Sequence, residues 1–148
     1  MPVYAGNIIY ASDVNNVMGR QFEAPCTVAT TVNAAAADVT GASITFTTTT
    51  ANATVVAHFS ADHIVSSASA GTISITFLSI DGVDDNARQG LLDMRTLTRV
   101  TVAQSYKFSL AAAGSHTIKL RCQKTAAAGT DQLQAGHTAL VLNVYESV

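Results

Sequence analysis

Polar and apolar residues alternate along most of this chain. The cleanest stretch is Ser115 to Cys122, where His116, Ile118, Leu120 and Cys122 fall on one side and Thr117, Lys119 and Arg121 on the other. A period of two marks a strand with one buried and one wetted face. Ala113-Gly114-Ser115 supplies the turn before it. We place this strand at the centre of an antiparallel sandwich. The pattern recurs from Phe22 to Val32, interrupted at Pro25, which suits an edge or a strand start. It recurs again at Ser43 to Thr47, and at Ala53 to Ile64 with Val55, Ala57 and Phe59 opposite Val56 and His58. Thr72 to Ile80 reads as a strand with Ile73, Ile75 and Phe77 inward, and Ala139 to Tyr145 as one with Leu140, Leu142 and Val144 inward. Met94 to Leu110 reads as two strands or one long bent strand.

Between these lie the connections. Asp81-Gly82 is the strongest short turn signal. Asn33 to Asp38, Ser66 to Gly71, the polar excursion Val83 to Leu92 and the Ala/Gly/Thr stretch Thr125 to Gln134 carry no strand pattern of their own. About eight strands at this spacing predict an all-β chain, an antiparallel β-sandwich or jelly roll.

The first residues break the pattern. Val3-Tyr4 and Ile8-Ile9-Tyr10 are short apolar patches, and Ser12 then caps a helix of about two turns, with Asp13 favourable to its dipole and Gly19 as its stop. Val14, Val17 and Met18 share one face of it. So short a helix is unstable alone and must dock on something. We therefore divide the chain into an N-terminal arm, 1–19, and a sandwich domain, 20–148. The arm packs on its own sandwich or anchors the protein to a neighbour. In the second case Val3, Tyr4, Ile8, Ile9, Tyr10, Val14, Val17 and Met18 form the partner-binding set.

Composition changes the picture in one respect. Hydrophobic residues make up 48% of the 148 and charged residues only 12%, against about a quarter in an average protein. So few charges leave surface to be covered by Ala, Thr and Ser on a neutral monomer, or by another subunit. A net charge of -2 offers no basic field for nucleic acid. No stretch approaches the length needed to span a bilayer, and no signal peptide is expected.

Candidate chemistry is sparse. Cys26 and Cys122 match no metal or redox spacing and are expected as buried free thiols, the alternative being a disulfide if their strands are neighbours. His58, His63, His116 and His137 form no metal-binding motif, although His116 and His137 both follow Gly-containing turns and a sandwich could bring them together. Asp81, Asp84 and Asp85 bracket a turn but lack the calcium-loop pattern. Arg95, Arg99, Lys119, Arg121 and Lys124 would make a modest basic patch if they met on one sheet face. No nucleotide loop or nucleophile elbow occurs. Neither a catalytic residue nor a cofactor or metal is expected.

Three stretches carry a resemblance. A strand ending in Ile80-Asp81-Gly82 is followed by Tyr106 to Leu120 and by the last strand Leu140-Val141-Leu142-Asn143-Val144-Tyr145. This resembles jelly-roll modules of tailed-bacteriophage virion proteins, which look like the tumour-necrosis-factor and complement-C1q head. The opening Tyr4-Ala5-Gly6 with Ile8 to Asn15 looks like the start of phage tail and head-fibre chains. The resemblance implies a homotrimer. It also implies a virion location after synthesis in the host cytoplasm, and binding to the major capsid protein or to neighbouring virion subunits. The expected function is a non-enzymatic capsid decoration (cement) protein. The alternative is a tail or fibre-associated module that recognises a host receptor or glycan. Val56, His58 and Tyr145, opposite the core face of their strands, are the residues expected on a second buried surface.

Overall fold

The computed structural model describes residues 19–146. Ten strands follow in order: β1 (Arg20–Pro25), β2 (Thr30–Thr31), β3 (Ala37–Thr48), β4 (Ala53–Ser67), β5 (Ile73–Ile80), β6 (Val83–Asp93), β7 (Thr98–Leu110), β8 (Gly114–Lys124), β9 (Thr130–Leu133) and β10 (Ala139–Tyr145). All pairings are antiparallel. One sheet runs β1-β10-β4-β9-β2 with β7 on the other edge of β4, and the second runs β3-β8-β5-β6. The result is an antiparallel sandwich consistent with a jelly roll, as the alternation predicts. The helical turns expected near Ser12 lie outside the described residues.

The core forms between the sheets from the inward sets of both. Ile118, Leu120 and Cys122 of β8 meet Val55, Ala57 and Phe59 of β4 and Leu140, Leu142 and Val144 of β10, all buried. Burial of this kind supplies the main driving force, at about 25 cal/mol per Å² of apolar surface. At the Asp81-Gly82 turn both residues take positive φ, 51° and 85°, as a two-residue hairpin of this twist requires.

Three expectations need correction. The inward set of β5 is Ser74, Thr76 and Leu78, whose register neighbours on β8 are the core-facing Lys124, Cys122 and Leu120. Ile73 and Ile75 lie on the other face, half-buried. Two buried polar residues lead there because partners from other strands satisfy them, as described below. Val83 to Leu92 is a strand, β6, in spite of its charges. It is an edge strand, and its register shifts between Phe77 and Ser79 so that 85–88 bow out of the ladder. Within Thr125 to Gln134 sits the four-residue β9, which pairs with β4 and β2. Of the two readings of Met94 to Leu110, the single long strand is the one found: β7 runs along the length of β4.

The bow of β6 leans onto the opposite sheet. Tyr106 Oη donates to the Gln89 carbonyl at 2.8 Å, and the Arg88 guanidinium lies over the Phe108 ring. Gly90 permits this approach, since a Cβ there would lie 2.7 Å from Val102 Cγ1 and 3.2 Å from Phe59 Cε2.

Candidate functional site

The outer face of the six-stranded sheet is built from the residues that alternate with the core set. Register places Val141 of β10, His58 of β4 and Ser105 of β7 in one row, and Asn143, Val56 and Lys107 in the next. Tyr145 closes the face at one end, 40% exposed. The middle of the face is uncharged. Glu23 on β1 and Lys107 and Arg99 on β7 stand at its edges, and Asp62 on β4 is charged beyond the His58 row. Arg99 is taken up at 2.7 Å by the shielded Asp62 carboxylate. The face holds a depression of about 580 Å³ lined by His58, Ser60, Ala103, Ser105, Ala139 and Val141, among others. His58 Nδ1 hydrogen-bonds Ser105 Oγ at 2.6 Å across the strands, which fixes the imidazole on its floor. Val56, His58 and Tyr145 thus do share one face. Ala103, Ser105 and Val141 were not singled out in the sequence, although small outward residues opposite Gln104, Tyr106 and Phe108 are the signal that marks them.

One corner of this face is clasped. Arg20, at the start of β1, ion-pairs with Glu146 just past β10 and donates to the Thr47 carbonyl at 2.7 Å. Glu146 Oε2 accepts from Thr49 Oγ1 at 2.6 Å and from the backbone amides of Thr49 and Thr50 at 2.5 and 3.1 Å. Those hydrogen bonds, the Thr49 hydroxyl foremost, hold the Glu146 carboxyl below its usual range. Gly19 lies against the Tyr145 ring at the same corner, since a Cβ there would come within 2.6 Å of Cε1.

Between the sheets lies a second cluster. His63 Nδ1 meets Asp131 Oδ2 at 2.7 Å, Ser74 Oγ donates to the same oxygen at 2.6 Å, and Thr76 Oγ1 lies 3.2 Å from His63 Nε2. The Thr-His-Asp order has the connectivity of a nucleophile, base and orienting acid. All four residues are fully buried, so this arrangement joins sheet to sheet and offers no open face to a substrate. Asp131 Oδ1 has no partner among the described residues.

The remaining candidates disperse. His116 pairs with Asp81 at 2.7 Å and with the Ala112 carbonyl at 3.1 Å. The Asp81 carboxyl is pushed up by burial, but the His116 hydrogen bond and the Thr117 amide outweigh this and hold it low. His137 precedes Ala139 at the start of β10, whereas His116 pairs with Phe46 near the Thr47 that Arg20 holds at its other end. The two histidines therefore do not meet. Asp84 pairs with Arg121 at 2.6 Å and Asp85 with Arg88. No group of three metal-ligating side chains stands together among the described residues.

The basic residues form no patch. Lys119 is paired with Asp38 at 2.7 Å, Arg95 with Asp93 at 2.9 Å, Arg99 lies on the other sheet, and Lys124 is buried with Nζ on the Gly129 carbonyl. Cys26 and Cys122 are free and buried, and burial pushes the Cys122 thiol up to about 12. Val3, Tyr4, Ile8, Ile9, Tyr10, Val14, Val17 and Met18 lie outside the described residues.

No family model matches this sequence, and none of the curated proteins does. Among solved structures the chain is similar to dimeric latent PorU from Porphyromonas gingivalis, with a TM-score of 0.53 and 10% identity over 87% of this chain and 13% of that one. It thus corresponds to a small part of PorU, and the likeness is one of fold alone. Weaker matches include the TNF-like Eiger from S. frugiperda, at TM-score 0.42 and 9% identity over 84% of this chain and 95% of that one. They also include a pentameric capsid protein from metagenomic phage sequences, at TM-score 0.30 and 13% identity over 76% and 58%. A domain of a multidomain xylanase falls in the same range.

Proposed function

We propose that this protein is a non-enzymatic structural component of a virion, a homotrimeric decoration protein that sits on a phage head and reinforces it. The observation that carries this reading is the uncharged strip of β10 and β4 on the outer face of the six-stranded sheet, from Ala139 to Tyr145 with Val56 and His58, on a chain whose acids and bases are largely spent on one another. A surface of this kind is suited to permanent contact, because little charge must be stripped of water when it is covered. Exposed Val83, Leu91, Leu97 and Val100 near the β6 and β7 edges add apolar area. Each clamped copy adds interface area between neighbours and so opposes outward pressure from packaged DNA, with no reaction required. The apolar residues of the first 18 would complete the attachment to the major capsid protein or to neighbouring subunits.

Two measurements test the reading. Light scattering of the purified protein is expected to give three times the 15.3 kDa of one chain. Imaging of particles is expected to place it on the capsid surface. A stable monomer that leaves particles undecorated would refute both parts.

A further inference from the structure

The segment before Gly19 begins on the sheet face just described. Gly19 is seated on the Tyr145 ring, and the Arg20–Glu146 clasp with its threonine hydrogen bonds fixes that root to the corner. From Tyr145 back to Ala139 the face is six residues long, about 20 Å at the rise of a strand. The eighteen residues from Met1 to Met18 can span it even at the helical rise, about 27 Å in all. Their character matches the face. Asp13 is the one charged side chain among them, and Val3, Ile8, Ile9 and Val17 are aliphatic. The sheet offers a matching neutral strip with Val56 and Val141 at its centre and the depression beside His58.

We propose that residues 1–18 of this chain dock on the outer face of their own six-stranded sheet, with apolar side chains entering the depression. The tether favours the same copy, because a segment rooted on the face meets it at millimolar effective concentration. This does not require the assembly reading but bears on it, because the face which that reading turns to a neighbour is then covered by this chain's own arm. If that reading holds, the seated segment is a pad that turns its other side to the neighbour.

The test uses the full chain in solution, with no particle present, so failure to decorate a capsid does not enter the result. Chymotrypsin cleavage after Tyr4 and Tyr10 is followed by mass. Docking predicts slow cleavage in the native protein. In the variant Val56→Glu with Val141→Glu, whose changes lie on the solvent side, cleavage should be about tenfold faster with an unchanged circular-dichroism spectrum, because buried unpaired charge expels an apolar partner. Equal rates in the two proteins would overturn the proposal. If the double variant fails to fold, Ser105→Arg on the exposed side of β7 serves instead, with the same two outcomes. Protection must also persist over roughly a hundredfold dilution, because tethered docking is independent of concentration. Protection that fades on dilution would assign the face to a second copy and overturn it.

Discussion

His63 and Asp131, 68 residues apart in sequence, meet at 2.7 Å between the two sheets with neither side chain reaching solvent. The pair draws in Ser74 and Thr76, so one carboxylate satisfies β4, β5 and β9 together. Its removal leaves His63 Nδ1 and Ser74 Oγ buried without their partner, while Thr76 keeps its bond to His63 Nε2.

Asp131→Ala should therefore destabilise the fold by about 3–5 kcal/mol, the usual cost of breaking a buried pair from one side. Replacing the whole cluster by apolar residues of similar size should recover most of that loss, because nothing is then left unpaired. Urea denaturation of both variants measures the difference. A loss as large in the apolar quadruple variant as in Asp131→Ala would contradict it.

Gly90→Ala should cost about 1–3 kcal/mol, the range for forcing a methyl group into a filled space. The clash is with Val102 Cγ1 and the Phe59 ring, neither of which has a flexible end to move. Val102→Ala should restore part of the stability in the double variant, and a double-mutant cycle reads the coupling.

Acid should loosen the corner at Glu146. Its carboxyl is held below the ordinary value of 4.5 in the folded protein. A group with a depressed folded value contributes stability above its unfolded value and loses it as pH falls through the folded one. Asp38, held low first by the Lys119 hydrogen bond, acts in the same direction below its ordinary 3.8. Thermal melts should thus be flat at neutral pH and fall below about pH 4.5, the ordinary glutamate range. Glu146→Gln should flatten the upper part of that decline.

Both thiols should be silent in the native state. Cys122 is buried, and its proton is held up to about 12, so the reactive thiolate is scarce. A thiol-specific reagent should label neither cysteine until denaturant is added, and then both. Rapid labelling of Cys122 in native buffer would show that the sandwich opens there.

The sequence pattern was legible where burial alone decides orientation. His116, Ile118, Leu120 and Cys122 on β8, and Leu140, Leu142 and Val144 on β10, face inward as their alternation predicts. It misled where a distant partner decides. Ser74 and Thr76 turn inward because His63 and Asp131 await them, and nothing within β5 announces this. Asp131 itself sits in a four-residue strand too short to show a period. The charges of β6 hid an edge strand, since edges tolerate polar residues on both faces. The outer face was half legible: Val56, His58 and Tyr145 pointed to it, but Ser105 and Val141 joined it only through register. The arm residues that the sequence nominates for binding lie outside the described residues.

The Arg20–Glu146 clasp brings the beginning of the first strand and the end of the last to a single pole. A short linker between residues 19 and 146 would close the polypeptide into a ring, and new ends cut at Asp81-Gly82 would open it on a hairpin. Such a circular permutant should keep the same near-native spectrum, since every ladder is retained. A peptide or dye grafted at the clasped pole would be displayed in one direction by every copy.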